Sequence, residues 1–245
     1  MIKQAVIAAG GLGTRLRPFT DTAPKPMLPI LGKPMLEWHV EQFKKYGVTE
    51  FFFTVHYLPE VIMEHFGDGS KFGVNIHYFF EKEPLGTAGA LKKIEPQLAD
   101  EFFYIYGDTF SLMDYEKMEA AWRGKPAPAI GMQRVGRSDH YGDVDVAELG
   151  EQGKIIAVHA KPHTQTYPNA YRMRGAFIFK KKIVSYIPDG VSYEIGKQLL
   201  PDVIARGEAF YGYECDDFSK GIDTAEKWKE VENYLTTHDE WKNQK

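Results

Sequence analysis

Residues 8–26 read "AAGGLGTRLRPFTDTAPKP" and continue the short apolar run "AVIA" at 5–8. Glycines stand at 10, 11 and 13. Thr14 follows them, then Arg15 and Arg17, and Lys25 sits between two prolines. Glycines let backbone N–H groups approach a phosphate closely. Guanidinium and ammonium groups pair with its oxygens. The stretch therefore reads as a polyphosphate cradle at the end of a first strand, against the alternative of a surface loop with scattered charge. Two familiar cradles fail on spacing. The dinucleotide fingerprint G-x-G-x-x-G finds Gly11 and Gly13 but then Leu16, and the P-loop's Gly-Lys-Ser/Thr is Gly13-Thr14-Arg15 here.

Outward from this stretch the pattern alternates strand and helix. Strands are expected at 4–9, 50–55, 73–80 and 101–106, and helices at 34–47, 58–67, 86–96 and 113–124. This rhythm implies α/β architecture: a Rossmann-like, mostly parallel sheet with helices on both faces and ligands outside the carboxyl ends of the strands. After 125 the rhythm loosens. "APAIGMQRV", "GDVDVAEL", "GKIIAVHA" and "YRMRGAFIF" read as strands with short connections, a small antiparallel addition. "VSYEIGKQLLPDVIARGE" reads as helical, with Pro201 giving a kink or two joined helices. "DTAEKWKEVENYL" (223–235) opens with an Asp-Thr cap and reads as the closing helix. No repeat or linker divides the chain, so one domain is expected over 1–240, with a nucleotide-binding half at about 1–112 and an acceptor half at about 113–240.

Composition sets the remaining bounds. The 245 residues are 43% hydrophobic and 26% charged, with a net charge of −4. That balance supports a buried core and argues against general nucleic-acid binding. Cys215 is the single cysteine, so an internal disulfide and paired-cysteine zinc sites are excluded. Neither a signal peptide nor a membrane-length run is read, and a cytoplasmic protein is expected. Disorder is expected only at the lysine-ended tail. Homo-oligomers remain open.

The stretch from Ala8 to Leu36, "AAGGLGTRLRPFTDTAPKPMLPILGKPML", resembles the signature of the sugar-1-phosphate nucleotidyltransferases, the NDP-sugar pyrophosphorylases. The match has no gap and joins the Gly-x-Gly-Thr-Arg core to Pro-Lys-Pro and Gly-Lys-Pro. Further segments are similar in the same order: "EPLGTAGAL" (83–91), "YGDT" (106–109), "YGDVDV" (141–146), "AKP" (160–162), "QLLPDVIARGEAFYGY" and "FSKGIDTAEKW". The resemblance covers about 5–235. It implies the nucleotide-diphospho-sugar transferase type of fold and transfer of a nucleoside monophosphate from a triphosphate to a sugar 1-phosphate, with release of pyrophosphate. It also implies Mg²⁺ as cofactor, while the charge balance and the lack of a membrane-length run lead to the expectation of no nucleic-acid or membrane partner. The appended β-helix or acyltransferase domain of some relatives is expected to be absent.

The resemblance assigns nucleotide contacts to Ala8, Ala9, Gly10, Gly11, Gly13, Thr14, Arg15, Lys25, Glu81, Pro84, Gly86 and Thr87. Arg15 would stabilise the leaving pyrophosphate, and Lys25 the α-phosphate. Asp108 and Asp223 would hold the metal, although Asp223 also reads as a plain helix cap. Lys161 would neutralise the acceptor phosphate. Arg15, Lys25, Asp108 and Lys161 form the expected catalytic set. Gly142, Arg174, Gly175 and Glu194 complete the acceptor set.

Two departures bear on the acceptor. Ala160 stands where the family usually has glutamate, and Met173-Arg174-Gly175 replaces Asn-Ala-Gly. Two hydroxyl partners are lost, and an arginine that suits an anionic group is gained. His159 and His163 are four apart, but Pro162 breaks the helix a metal pair would need, so they read as surface or pocket side chains. Alternatives are a cytidylyltransferase for a non-sugar phosphate and a catalytically silent nucleotide sensor. Glu81 favours GTP or CTP over UTP or dTTP, because a carboxylate only accepts hydrogen bonds and both of those bases present an amino group.

Overall fold

The computed structural model describes residues 1–137, 142–167 and 169–238. Tyr141 of "YGDVDV" and the lysine-ended tail lie outside the described residues. Five strands and two helices come first: β1 (Gln4–Ala8), β2 (Pro29–Ile30), β3 (Lys33–Pro34), α1 (Met35–Lys45), β4 (Glu50–Val55), α2 (Pro59–Phe66) and β5 (Asn75–Phe80). Then come α3 (Gly86–Ile94), β6 (Glu101–Tyr106), β7 (Thr109–Ser111), α4 (Tyr115–Arg123) and β8 (Ala129–Gly136). The chain continues through β9 (Val146–Leu149), β10 (Ile155–His159) and β11 (Ala170–Lys180). It closes with α5 (Leu200–Ala205), β12 (Ala209–Glu214), β13 (Ser219–Gly221) and α6 (Ala225–Thr237).

Two compact units share these elements. The first takes Met1–Pro84, Ile105–Tyr115 and Asp217–Lys245; the second takes Leu85–Tyr104 and Glu116–Asp216. In the first unit β1, β4 and β5 pair in parallel, with Gln4 opposite Glu50 and Glu50 opposite Asn75. Phe51, Phe53 and Val55 are fully buried, as expected where a strand lies between neighbours in a parallel sheet. Helix α1 buries Met35, Leu36, His39, Val40 and Phe43 along one side, the 3.6-residue period of an amphipathic helix. Gly47 follows it at φ 78, a left-handed turn that ends the helix.

The second unit carries the antiparallel part. Strand β11 pairs with β8 and β9, and β9 with β10, all antiparallel, while β12 lies parallel to β8. Around Pro201 the chain forms two joined helices, a π-helical turn at Ile195–Leu199 that runs into α5. Val191–Glu194, expected as helix, precede that turn without helical structure. The short strands β2, β3, β7 and β13 have too few residues for a hydrophobic period to announce them; β12, six residues long, was not expected as a strand. No described helix is long and apolar enough to cross a membrane.

Helix α6 positions the glycine-rich stretch within the first unit. Its Val231 and Leu235 join Leu16, Ile30, Phe110 and Ile222 in one buried cluster. Trp228 donates its indole N–H to the Pro29 carbonyl at 2.7 Å and meets the Phe19 ring edge-on at 5.3 Å. The segment after the glycine turn is thereby held by apolar contact at Leu16, Phe19 and Ile30 and by a hydrogen bond at Pro29.

One buried histidine links this unit to pH. His39 on α1 is 1% exposed, and its Nε2 has no hydrogen-bond partner. Burial lowers its pKa to about 4, against the opposing charge of Asp108. The unfolded chain, with an ordinary value near 6.5, binds the proton that the folded chain refuses. Stability is therefore whole above about pH 6.5 and falls as the pH drops towards 4, by up to about 3 kcal/mol from this residue. His39→Leu should flatten that slope in urea unfolding measured between pH 4.5 and 7. An unchanged slope would assign the acid sensitivity to other groups.

Candidate active site

The glycine turn begins where β1 ends. Gly13 has φ 62, and its carbonyl accepts from the Leu16 N–H at 2.9 Å and from Thr20 Oγ1 at 2.9 Å. A Cβ at Gly13 would fall 3.0 Å from Thr20 Cγ2 and 3.2 Å from Lys25 Cβ, so both backbone sign and space require glycine. Tyr57 in turn fixes Thr20 through a hydrogen bond to its carbonyl at 2.9 Å. Thr14, Arg15 and Leu16 form a single 3₁₀ turn after Gly13.

Glu81 follows β5. Its N–H donates to the Val55 carbonyl at 2.9 Å, and its own carbonyl lies 2.7 Å from His56 Nδ1. A Cβ at Gly10 would lie 3.3 Å from Glu81 Oε1, so the carboxylate stands directly beside the glycine turn. Pro84 ends this segment of the first unit.

The metal and phosphate candidates meet in two ion pairs within the first unit. Gly107 donates its N–H to the Ala8 carbonyl at 2.9 Å, and a Cβ there would collide with that oxygen at 2.6 Å. Asp108 follows and receives Lys25 Nζ on Oδ2 at 2.8 Å. The Lys25 side chain is 9% exposed and that of Asp108 48% exposed. The Ile222 N–H donates to the Asp108 carbonyl at 2.9 Å, and Gly221 of β13 pairs with Thr109 of β7. Asp223 therefore emerges one residue beyond the Asp108 contact. It takes Arg15 Nη1 on Oδ2 at 2.9 Å and Lys227 Nζ on Oδ1 at 2.6 Å.

Asp223 does not cap α6. Thr224 does, accepting from the Lys227 N–H at 3.3 Å. Partial burial alone would raise the Asp223 pKa. The hydrogen bond from Lys227 and the charges of Lys227, Arg15 and Lys25 outweigh it and hold the carboxyl below its ordinary range. Among the described residues no three His, Cys, Asp or Glu side chains gather as a metal cage. Two carboxylates suit a hard cation that keeps waters and takes further oxygens from phosphates, so the donor set fits Mg²⁺.

The second unit holds the acceptor candidates. The Lys161 N–H donates to Asp145 Oδ1 at 3.0 Å, and its Nζ lies 3.3 Å from Asp143 Oδ1. Gly142 takes φ 62 at the exposed turn, and a Cβ on it would lie 3.8 Å from Arg172 Nη2. Gly175 is buried in β11. Glu194, expected among the acceptor contacts, is turned to α3: its Oε2 accepts from Thr87 Oγ1 at 2.7 Å and from the Thr87 N–H at 3.3 Å. Its Oε1 lies by Gly86, 3.1 Å from where a Cβ would be. His159 pairs with Glu148 at 2.6 Å and stacks on Tyr167 at 3.7 Å, while His163 lies 2.8 Å from the Val144 carbonyl. Arg134 and Arg172, to which the sequence analysis assigns nothing, lie in the same unit. The alternation "YRMRG" places Arg172 with Arg174 on one face of a strand and was the available signal.

The family model described as nucleotidyl transferase matches residues 4–241. The chain belongs to that family. This nucleotidyl transferase family member is 34% identical over 225 residues to a UTP–glucose-1-phosphate uridylyltransferase of Synechocystis, covering 87% of this chain and 58% of that protein. It is 31% identical over 225 residues to a mannose-1-phosphate guanylyltransferase of Mycobacterium tuberculosis, covering 91% of this chain and 61% of that protein. The chain thus spans about six-tenths of the length of these two relatives. A D-glycero-alpha-D-manno-heptose 1-phosphate guanylyltransferase of Aneurinibacillus thermoaerophilus is 30% identical over 239 residues, covering 95% of this chain and 100% of that protein. The fold is shared with HddC from Yersinia pseudotuberculosis, at TM-score 0.79, 24% identity, 96% of this chain and 100% of that chain.

Proposed function

We propose that the protein transfers a nucleoside monophosphate from a nucleoside triphosphate to a sugar 1-phosphate and releases pyrophosphate. The observation that carries this reading is the paired arrangement of Lys25 with Asp108 and Arg15 with Asp223. A metal–triphosphate complex is held by one or two carboxylates on its cation and by cationic side chains on its phosphates, and the pairs supply both kinds of group. In this reaction an oxygen of the acceptor phosphate bonds to the α-phosphorus. The bond from that phosphorus to the α–β bridging oxygen breaks, and pyrophosphate leaves with the electron pair. Lys25 faces the charge developing on the α-phosphate, Arg15 holds the departing β- and γ-phosphates, and the glycine turn lets the backbone approach them. Asp108 and Asp223 would hold Mg²⁺, which when bound offsets phosphate charge. A reaction that consumes triphosphates belongs where they are made, so the cytoplasm is the proposed location. The test is a grid of four triphosphates against a panel of sugar 1-phosphates and phosphocholine, read as pyrophosphate release. Turnover with phosphocholine alone would favour the non-sugar reading, and silence in every cell of the grid would favour a sensor.

Lys161 is proposed to hold the acceptor phosphate. Lys161→Met should raise the acceptor KM by about 10-fold or more, as expected for a lost charge-assisted hydrogen bond. Calorimetry with triphosphate alone should show binding within about twofold of wild type. A loss confined to nucleotide binding would reverse this assignment.

Glu81 is proposed to read the base, with GTP or CTP preferred. Its position beside Gly10 supports this reading. Guanine offers N1–H and N2 amino donors side by side, a bidentate match for a carboxylate, and cytosine offers its N4 amino group. Uracil and thymine set carbonyl oxygens beside a single N–H. Glu81→Gln should narrow the preference among the four triphosphates about 10-fold in kcat/KM. Wild-type preference for UTP or dTTP, or a preference untouched by Glu81→Gln, removes Glu81 from base reading.

A further inference from the structure

Three arginines converge in the second unit: Arg174, expected among the acceptor contacts, and Arg134 and Arg172, to which the transfer described above gives no role. Strand β11 places Arg172 and Arg174 two residues apart, and two-residue spacing puts both on one face. Strand β8 places Arg134 and Gly136 in the same relation. Arg172 stands opposite Gly136 in the ladder, and the register shifts between Met173 and Phe177, where Arg174 sits. The missing side chain at Gly136 gives Arg174 its room: Nε and Nη2 lie 3.0 Å from where a Cβ would be. Arg134 is 0% exposed and donates Nε to Cys215 Sγ at 3.0 Å. Arg172 Nε is buried without a hydrogen-bond partner, and its Nη2 reaches the Gly142 turn.

This grouping is electrostatically costly. Burial, then the like charges of Arg134 and Arg172, lower the Arg174 pKa, and the Cys215 thiol and Asp216 carboxylate act against them. Glu214 on the neighbouring strand pairs with Arg137 at 3.2 Å. The half-buried Arg172 keeps one donor, Nε, without a hydrogen-bond partner, and guanidinium forks match carboxylate and phosphate geometry.

We propose that Arg172 and Arg174, backed by Arg134, bind a second anionic group of the acceptor, distinct from the phosphate that attacks. This inference rests on the transfer reading for its acceptor, a sugar 1-phosphate, and narrows it to sugars that carry a carboxylate or a further phosphate away from C1. The Gly142 turn brings the sugar contact and the Arg172 fork together, so recognition of the ring and of its charge share one strand-end. The loss of the family's glutamate at Ala160 and amide at Met173 fits this exchange of hydroxyl contacts for charge contacts.

The test uses three probes that differ only at C6: glucose 1-phosphate, glucuronic acid 1-phosphate and glucose 1,6-bisphosphate, with the manno and galacto series beside them. Binding is measured by calorimetry with a non-hydrolysable triphosphate present, so the readout does not require turnover. A charged probe should bind about 10- to 100-fold more tightly than its neutral counterpart, the range of one or two charge-assisted hydrogen bonds. The carboxylate and bisphosphate arms identify which anion is preferred. Arg172→Gln should collapse the charged-to-neutral ratio towards one, and Arg172→Lys should restore part of it by charge without the fork. Arg172 is partly exposed, so these variants avoid the folding risk of replacing Arg134. A wild-type ratio near one in all three series, or a ratio unchanged in Arg172→Gln, overturns the proposal. A large ratio without pyrophosphate release in the matching assay supports the anion site and instead overturns the transfer reading.

Discussion

Asp108→Asn is expected to lower kcat at least ~100-fold at saturating Mg²⁺, the scale of losing a preorganised electrostatic stabiliser at a phosphoryl centre. The substitution keeps size and shape but replaces an anion with a neutral amide. Asp108 is nearly half exposed, so its loss leaves no cavity. Its carbonyl still accepts from Ile222, because that bond belongs to the backbone. The ordered geometry around Gly107 and β7 is therefore retained, and unfolding curves of variant and wild type should nearly coincide. What changes is the proposed donor set for the cation, from two carboxylates to one. Titration with Mn²⁺ as a spectroscopic stand-in should show weaker metal binding together with the loss of kcat. Near-normal Mg²⁺-dependent turnover in Asp108→Asn would take Asp108 out of the metal site.

Sequence made the first unit far more legible than the second. The strand ends at Ala8 and Tyr106 were readable because each buried run stops at glycine, and a glycine after a parallel strand marks where backbone must come close to something else. The second unit escaped in part because its chemistry is set by cross-strand neighbours. Arg134 and Arg174 lie forty residues apart in sequence, and only the β8–β11 ladder brings their strands side by side. Glu194 illustrates the converse: its sequence position suggested a hydroxyl partner, but the tertiary fold gives it the unsatisfied N-terminus of α3 at Thr87. Asp223 was readable as an acid before a helix. Its freedom from capping was not, because either Asp223 or Thr224 could take the cap and only geometry chooses Thr224. Short strands such as β7 and β13 carry too few residues for a pattern, yet their pairing is what brings Asp108 and Asp223 to one place.

Lys25→Met is expected to lower kcat by about 10²–10³-fold with a smaller change in triphosphate KM, because in the proposed reaction Lys25 faces charge that grows at the α-phosphate on the way to the transition state. Stability should change by no more than about 1 kcal/mol, since Met keeps the buried stem and the Asp108 carboxylate left behind is exposed enough to stay hydrated. The ion pair adds a sharper expectation. In the free protein Lys25 Nζ occupies one oxygen of a proposed metal ligand, just as Arg15 occupies one of the other. Cation and ammonium compete for Asp108 until a phosphate draws the ammonium away. Metal and triphosphate should therefore bind with positive coupling, each raising the other's affinity by the same factor. Lys25→Met removes the competitor, so Mn²⁺ should bind the nucleotide-free variant more tightly than it binds wild type, while the coupling to triphosphate shrinks. In the double variant Asp108→Asn, Lys25→Met, the kcat loss should fall well short of the product of the single losses, as for groups that act as a unit. Weaker Mn²⁺ binding in nucleotide-free Lys25→Met, or single losses that simply multiply, would show that the two side chains act separately.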